Sequence, residues 1–277
     1  MIYHYPYLSR SFFGSIRISG AGLGNHLLTY SRAFLGSHKQ GGKLIEPPWT
    51  QIKLGPILRK EKDWRTYYGI FKRRSLQEQY LFIKMALTEK VHENDASEIN
   101  TPNNKSIIYS GNKNFFHDFT DADKPLIKDL ILSRRIERNI RIEPSPLIVH
   151  IRLGDFIINN SNNRGESFRI AFDWYNNAID YVKSKHHLAR NEVTIISDGD
   201  PNYIRSFIRH KDVRILRDET GNALNSILFL SSAKYIIASR STFSMWGAYL
   251  GNTETFWDKD FDLERFFKIR PEKDFFL

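Results

Sequence analysis

In the second half of the chain, short apolar runs alternate with segments of helical spacing. The strand-like runs lie in LIVHIRLGD, EVTIISDGD, VRIL and KYIIAS. After each of them, apolar residues recur every three or four positions, which predicts helices over 168–182, 202–209, 222–232 and from Phe243 onward. Strands that alternate with helices predict a parallel sheet with right-handed crossovers, which is a Rossmann-like α/β domain.

The first half begins with less regular elements. SIRIS, at residues 15–19, has the pattern of a short strand, and the glycine-rich segment GAGLGN follows shortly after it. Apolar residues at helical spacing then predict a helix from Leu27 that ends at Gly36, where a C-cap belongs. The start of the chain is therefore predicted to be a strand, a tight turn and a helix.

Three further elements precede a boundary near the middle of the chain. The basic and aromatic segment 63–91 is predicted to be helical, 105–111 a strand, and 121–140 a helix with acids early and arginines late. The prolines of RIEPSP cannot continue that last helix. We therefore predict two domains, residues 1–143 and 144–277.

The composition narrows the functional classes. The 277 residues are 41% apolar, enough for a substantial core, and the absence of cysteine excludes disulfides, thiolate metal sites and cysteine nucleophiles. The N-terminal segment lacks the apolar run of a signal peptide, and no run reaches the roughly 20 apolar residues of a membrane span. These features predict a cytoplasmic protein. The net charge of +10 favours anionic partners: nucleic acid, phosphorylated metabolites or an acidic membrane surface.

The predicted strand LIVHIRLGD carries two basic side chains. By strand alternation, His150 and Arg152 share one face with Ile148, and Leu147, Val149, Ile151 and Leu153 fall on the other. An unpaired buried charge is costly, so Arg152 requires an anion, which could be Asp155, another carboxylate of the fold or a ligand phosphate. The sequence leaves a structural salt bridge and a ligand site both open.

Two further polar segments follow predicted strands, at the sheet edge where ligands bind in open parallel sheets. Asp198 fits either a turn residue or a contact to a nucleotide base or ribose. The run from Ser239 to Ser244 places four hydroxyls and Arg240 before an apolar helix. Hydroxyls and N–H groups at a helix N-terminus bind anions without a metal, and capping alone would need one hydroxyl. Phosphate binding is therefore favoured at this run.

The glycine-rich turn is a weaker candidate for a dinucleotide site. In the fingerprint G-x-G-x-x-G the third glycine would stand where this chain has Asn25. Glu46 lies at about the distance expected for the ribose-binding acid, but it precedes two prolines. NAD binding is therefore disfavoured there. No histidine spacing typical of a catalytic metal is present either, and no metal is predicted.

Taken in order, GLGNHLLTYSRA, VHIRLGDF, TIISDGDP and YIIASRSTFSMWGAYLG resemble motifs of the bacterial α-1,2-fucosyltransferases and the wider fucosyltransferase superfamily. The resemblance spans Ile16 to Leu250. It implies an α/β, GT-B-like fold with two Rossmann-like domains facing a central cleft. It also implies metal-independent, inverting transfer of fucose from GDP-fucose with no cofactor, in which the N-terminal domain serves the acceptor and the C-terminal domain binds the GDP-sugar.

The resemblance also assigns roles to residues. Arg152 would contact the donor pyrophosphate, Asp198 would lie near the nucleoside, and Asn25 near the reacting sugar. The donor-binding set is His150, Arg152, Asp198, Arg240, Ser241, Thr242, Phe243 and Ser244. The acceptor-side set is Gly24, Asn25 and His26. Catalytic candidates are Arg152, with Asp155 and His26 as alternative general bases, each of which also fits a structural role.

Three residues depart from the family pattern. Leu153 replaces the second arginine of the HxRRGD-like motif, His26 stands in a glutamine position, and Met245 replaces a tryptophan. A charge-assisted hydrogen bond contributes about 1.5–3 kcal/mol, so the lost arginine bears on donor identity. We predict that Arg240, just before the STFS segment, supplies the missing charge.

These features together predict a glycosyltransferase that extends a surface polysaccharide or a lipid-linked oligosaccharide with fucose. The basic segment from Arg59 to Arg74 would favour peripheral contact with the anionic inner face of the membrane. A solvated helix face explains that segment equally well. Two alternatives stay open: a basic nucleic-acid-binding protein, motivated by the same segment, and a catalytically silent binder of sugar nucleotides.

Overall fold

Two α/β units make up the chain, residues 1–137 and 138–277. The structure, a computed structural model, describes residues 1–9, 11–13, 16–18, 20–53, 58, 64–95, 104–136, 145–153, 169–217 and 223–277. The boundary predicted at residue 143 falls outside the described residues. The α/β class with parallel sheets is confirmed.

The N-terminal unit contains a four-stranded parallel sheet and a small second sheet. Its strands are β1 (Ile2–Tyr7), β2 (Ser11–Phe13), β3 (Ile16–Ile18), β4 (Lys43–Leu44), β5 (Gln51–Ile52), β6 (Glu89–His92) and β7 (Lys105–Ser110). Its helices are α1 (Leu23–Gln40), α2 (Leu76–Ala86) and α3 (Asp123–Arg134). The larger sheet has the order β4-β1-β7-β6 with parallel neighbours, and the smaller has the order β2-β3-β5.

The C-terminal unit is built on one six-stranded parallel sheet. Its strands are β8 (Leu147–Ile151), β9 (Val193–Ser197), β10 (Arg214–Arg217), β11 (Tyr235–Ile237), β12 (Glu254–Trp257) and β13 (Asp274–Phe276). Its helices are α4 (Phe172–His186), α5 (Pro201–Phe207), α6 (Ala223–Ser232) and α7 (Thr242–Leu250). The order β10-β9-β8-β11-β12-β13 is that of a doubly wound Rossmann sheet, whose direction of winding reverses between β8 and β11.

The core of the C-terminal unit follows the predicted alternation. Leu147, Val149 and Ile151 are fully buried in a cluster with α4, and Leu153 packs against the same cluster. Short 3-10 turns at Phe115–Asp118, Arg190–Glu192 and Leu263–Arg265 connect elements. No helix in the described segments is long and apolar enough to cross a membrane.

Several sequence predictions differ from the structure. The segment 63–91 is helical only over α2, because Ser75 begins the helix with a capping box and residues 64–74 form turns and an isolated bridge. The sequence does not predict the strands β1, β2, β4, β5, β6, β12 and β13, and β6 begins inside the segment predicted to be helical. The helix predicted over 121–140 ends at Arg134, with Arg135 already extended.

The first helix does not end at Gly36 as predicted. It continues to Gln40 and ends at Gly41, whose φ of 73° is in the left-handed region. At Gly36 a Cβ atom would lie 1.9 Å from the hydroxyl oxygen of Tyr109. That hydroxyl hydrogen-bonds to Nδ1 of the fully buried His4, at 2.9 Å. Gly36 therefore lets α1 approach β7 closely.

Replacing Gly36 with alanine is expected to lower the free energy of unfolding by about 1–3 kcal/mol, because the added methyl group overpacks the contact with Tyr109. In an exposed helix interior the same change would stabilise by about 1 kcal/mol. Urea denaturation of Gly36→Ala beside Ser37→Ala, the next position of α1, measures the difference. A stabilised Gly36→Ala would contradict the close approach.

Candidate active site

The predicted donor residues meet at the point where the C-terminal sheet reverses its winding. His150 is on β8, Arg152 follows it, and the loop after the neighbouring β11 leads into α7. Asp198 follows β9, the other neighbour of β8. Ligands of open parallel sheets bind beyond the carboxyl ends of the strands at such a switch point.

The carboxylate that pairs with Arg152 is Asp198. Arg152 Nη1 lies 2.7 Å from Asp198 Oδ2, and the backbone N–H of Leu153 donates to Asp198 Oδ1 at 2.8 Å. One carboxylate thus fixes both the guanidinium and the backbone after β8. The Arg152 side chain is still 21% exposed, so it is held in place at the sheet edge without being enclosed.

Leu153, in the place of the family's second arginine, is part of the apolar packing of the C-terminal unit. A Cβ atom at Gly199 would lie 2.5 Å from Leu153 Cδ1, so the turn after β9 approaches this leucine closely and a larger residue there would displace its side chain. The position contributes packing between two loops of the sheet edge.

His150 fastens the loop between β11 and α7. Its Nδ1 lies 2.8 Å from Ser244 Oγ and 3.0 Å from Ser239 Oγ, and the Phe243 ring stacks on the imidazole with centroids 6.0 Å apart. The Ser239 N–H donates to Ser244 Oγ at 3.0 Å. Burial, with the nearby Arg152 charge, lowers the pKa of His150 to about 4, so the ring is neutral near pH 7. These contacts make His150 a positioning residue, and its predicted contact with the donor stays a prediction.

More hydroxyls of the run from Ser239 to Ser244 are hydrogen-bonded within the protein than the sequence predicts. Ser241 is the N-cap of α7 and its Oγ accepts from the Ser244 N–H, while Ser239 and Ser244 serve His150. Three of the four hydroxyls are therefore used within the fold. Ser241 and Thr242 are partly exposed, and no hydrogen bond of the Thr242 hydroxyl is found within the described residues. The exposed part of this run is the beginning of α7, where backbone N–H groups attract anions.

Arg240 has a carboxylate partner that the sequence did not reveal. Its Nε lies 3.1 Å from Oδ2 of Asp258, a residue that follows β12 and is 6% exposed. Asp258 was not predicted as a residue of the sheet edge, because the strand β12 that precedes it was not predicted. The apolar run that ends at Trp257 could have indicated this strand. The role of Arg240 toward a phosphate stays a prediction.

The acceptor-side residues lie in the first turn of α1, in the N-terminal unit. The helix begins at Leu23, whose N–H donates to the hydroxyl of Tyr67 at 2.8 Å. This bond uses an N–H that a dinucleotide phosphate would need. Gly24 is buried, and Asn25 Oδ1 is buried with no hydrogen-bond partner among the described residues.

His26 is enclosed by polar partners. Its Nε2 lies 2.8 Å from Nη1 of the buried Arg17 and 3.4 Å from Gln51 Oε1, and 2% of the residue is exposed. Burial and the adjacent Arg17 charge hold the pKa of His26 well below its ordinary value. Of the two roles that the sequence left open, this geometry favours the structural one. Asp155, the other candidate base, lies outside the described residues.

Acidification from pH 7 to pH 5 is expected to lower the free energy of unfolding by about 2 kcal/mol through His150, whose pKa is about 4 instead of 6.5. In this window the unfolded chain takes up a proton that the folded chain does not. Stability is therefore full above the ordinary pKa and falls as the pH drops toward 4. Urea denaturation of the wild type and of His150→Gln at three pH values measures the slope. An unchanged slope in the variant would assign the effect to other histidines.

Comparison with known proteins identifies a family for most of the chain. Residues 23–263 match the family model described as Glycosyl transferase family 11. A search of curated proteins found no significant match. Among solved structures, NodZ α-1,6-fucosyltransferase soaked with GDP-fucose aligns at 11% identity over 85% of this chain and 91% of that chain, with a TM-score of 0.46. Fucosyltransferase NodZ from Bradyrhizobium aligns at 12% identity over 85% of this chain and 92% of that chain, with a TM-score of 0.48.

Proposed function

Because the chain belongs to glycosyl transferase family 11, we propose that it transfers fucose from GDP-fucose, with inversion and without a metal. The acceptor would be a galactoside or related sugar of a surface polysaccharide or lipid-linked oligosaccharide, and the linkage α-1,2. The observation that carries the proposal is the cationic edge at the switch point, where Arg152 and the N-terminus of α7 lie at the ends of the neighbouring strands β8 and β11.

The proposed donor site uses this edge to stabilise the leaving group. Cleavage of the sugar–phosphate bond adds one negative charge to the terminal phosphate of the departing GDP. A guanidinium held by Asp198 and the partial positive charge of the α7 N-terminus would bind that charge as it develops. Thr242 and Ser241 would donate to phosphate oxygens, and Arg240 would add a second cation, while His150 keeps the loop in place.

The proposed acceptor side lies in the N-terminal unit, at Gly24 and Asn25. The buried oxygen of Asn25, which has no hydrogen-bond partner among the described residues, supports this, because a buried acceptor without a donor is costly unless a ligand supplies one. Asp198 supplies Arg152 with a carboxylate partner. We propose Asp155 as the general base that removes the proton from the acceptor hydroxyl.

A thermal-shift panel tests the donor. GDP and GDP-fucose at 100 times their dissociation constants should each stabilise the protein by about 2.7 kcal/mol, whereas NAD and oligonucleotides should not. A shift with NAD or RNA but not with GDP would overturn the proposal. Transfer is then measured with radiolabelled GDP-fucose and a galactoside, in the presence and absence of EDTA, with linkage analysis of the product. GDP binding without transfer to any galactoside would instead identify a silent sugar-nucleotide binder.

A further inference from the structure

Helix α2 in the N-terminal unit is apolar on two opposite sides. On the inner side Leu81, Phe82 and Met85 pack into the cluster that contains Tyr3 and Tyr5. The packing of this inner side holds the helix against the rest of the N-terminal unit. The apolar residues of the other side are not needed for that packing.

The outer side carries four large apolar side chains that the protein does not cover. Leu76, Tyr80, Ile83 and Leu87 are 84%, 55%, 61% and 84% exposed. Their spacing of four, three and four residues places them in one row along the helix and its C-cap, which we call the outer stripe. A contiguous exposed apolar row of this kind marks a contact surface, unlike single exposed apolar residues.

Basic residues surround the outer stripe. Lys72 and Arg73, both exposed, lie shortly before the N-cap Ser75, whereas Arg74 lies 4.4 Å from the ring centroid of the inner-side Phe82. Lys84 lies within the helix with its Nζ 4.6 Å from the centroid of the Tyr80 ring. The acid of the helix, Glu78, is engaged on the protein side, where its carboxylate accepts from Arg134 Nη1 at 2.7 Å. The exposed charges of α2 and of the segment directly before it, Lys72, Arg73 and Lys84, are therefore positive.

A cavity of about 630 Å³ next to the first turn of α2 is also lined by basic residues. Lys72, Arg73 and Arg74 line it together with Gln79 of the helix, and no acidic residue is among its described lining residues. Arg73 Nη2 donates to the hydroxyl of Tyr68 at 2.6 Å, and Tyr68 is 60% exposed. Exposed tyrosine beside arginine and lysine is the composition found at a membrane–water interface.

We infer that the outer stripe, together with Lys72 and Arg73, binds the surface of an anionic lipid bilayer. The stripe enters the boundary between headgroups and acyl chains, and the basic side chains contact lipid phosphates. A second copy of the chain is the less suitable occupant, since stable protein interfaces use about 20–30 residues a side and have few lysines at their centre. The inference deepens the proposed lipid-linked acceptor, but vesicle binding itself requires no transfer.

Vesicle co-sedimentation of the full chain tests the inference. With vesicles of phosphatidylcholine and phosphatidylglycerol the protein is expected in the pellet, and with phosphatidylcholine alone binding should be at least about tenfold weaker, because each basic residue near the surface adds about fivefold. Raised salt should release it. Protein that stays in the supernatant with both vesicle types overturns the inference.

Matched variants assign the binding to this surface. Leu76→Ser/Ile83→Ser/Leu87→Ser should lower vesicle binding about tenfold or more, since each removes an exposed side chain that would enter the bilayer. Lys72→Gln/Arg73→Gln should remove the preference for phosphatidylglycerol. Leu132→Ser on α3, where the leucine is 37% exposed, is the control and should bind as the wild type does.

Two outcomes separate this inference from the proposed function. GDP-induced thermal shifts that stay normal in the stripe variant, with vesicle binding lost, support the inference whether or not transfer to a galactoside is detected. Sedimentation analysis tests whether a second copy of the chain binds the stripe instead. If the wild type is a dimer, the stripe variant is a monomer and neither binds vesicles, the inference is overturned in favour of self-association. Vesicle binding that the stripe and basic variants leave unchanged also overturns it.

Discussion

Replacing Arg152 with alanine is expected to lower kcat for fucosyl transfer by about a hundredfold to a thousandfold, the usual loss when a preorganised donor to developing negative charge is removed. The side chain is at the carboxyl end of β8, paired with Asp198 at 2.7 Å and 21% exposed. If the arginine binds the leaving diphosphate, the loss is larger in kcat than in the affinity for GDP-fucose, because charge grows as the bond breaks.

Two variants separate this effect from a disturbed loop. Arg152→Lys keeps the charge but not the forked donor geometry, and should retain part of the rate. Asp198→Asn keeps an acceptor for the Leu153 N–H and should lower kcat less than Arg152→Ala does. Steady-state kinetics with thermal unfolding of each variant are the measurements. Turnover of Arg152→Ala close to that of the wild type, with a folded protein, would remove Arg152 from the donor site.

Replacing Arg240 with alanine is expected to have two effects. The free energy of unfolding should fall by about 3 kcal/mol, because the nearly buried Asp258 loses its charge partner. The affinity for GDP should also fall by about tenfold to a hundredfold if the guanidinium binds the diphosphate. Calorimetric titration with GDP and urea denaturation measure the two effects separately.

The pair Arg240→Met/Asp258→Asn tells these effects apart. With both charges removed, most of the stability should return, and GDP binding should stay weak. Asp258→Asn alone should bind GDP as the wild type does, because the arginine is still present. Recovery of GDP affinity in the double variant would mean that Arg240 acts only through Asp258, and the idea that it replaces the family's second arginine would be wrong.

Hydrophobic patterns predicted an element correctly where the pattern lies within one short segment of the chain. The strand β8 was predicted from its alternation, and the structure buries Leu147, Val149 and Ile151 in one cluster as that alternation requires. A helix was predicted over 121–140, and the structure has one there, but it ends at Arg134. Helical propensity alone does not fix the last residue of a helix, because packing within the unit also decides where the helix ends. The strand β12 was not predicted although β10, of the same length, was; its segment ETFW contains no Ile or Leu, the residues that marked β10 and β11.

The candidate site was predicted as a set of residue types, not as a set of contacts. Polar residues after apolar strands indicated the sheet edge, and Arg152, Asp198 and the run up to Ser244 are all at that edge. The use of each side chain was not predictable in the same way. Two hydroxyls assigned to phosphate, those of Ser239 and Ser244, are bonded to His150, and His150 itself lies beneath the loop.

By itself the sequence determined the alternation of strands and helices, the parallel α/β class and the polar residues that follow each strand, because each of these depends on periodicity within about ten neighbouring residues. Only the tertiary structure decided the pairing of those residues. Asp198 became the partner of Arg152 because β9 pairs with β8, Asp258 the partner of Arg240 because β12 pairs with β11, and Ser244 reached His150 across 94 residues because β11 pairs with β8. The order of strands in a sheet depends on how whole crossover units pack against one another, and no single segment of the chain contains that information.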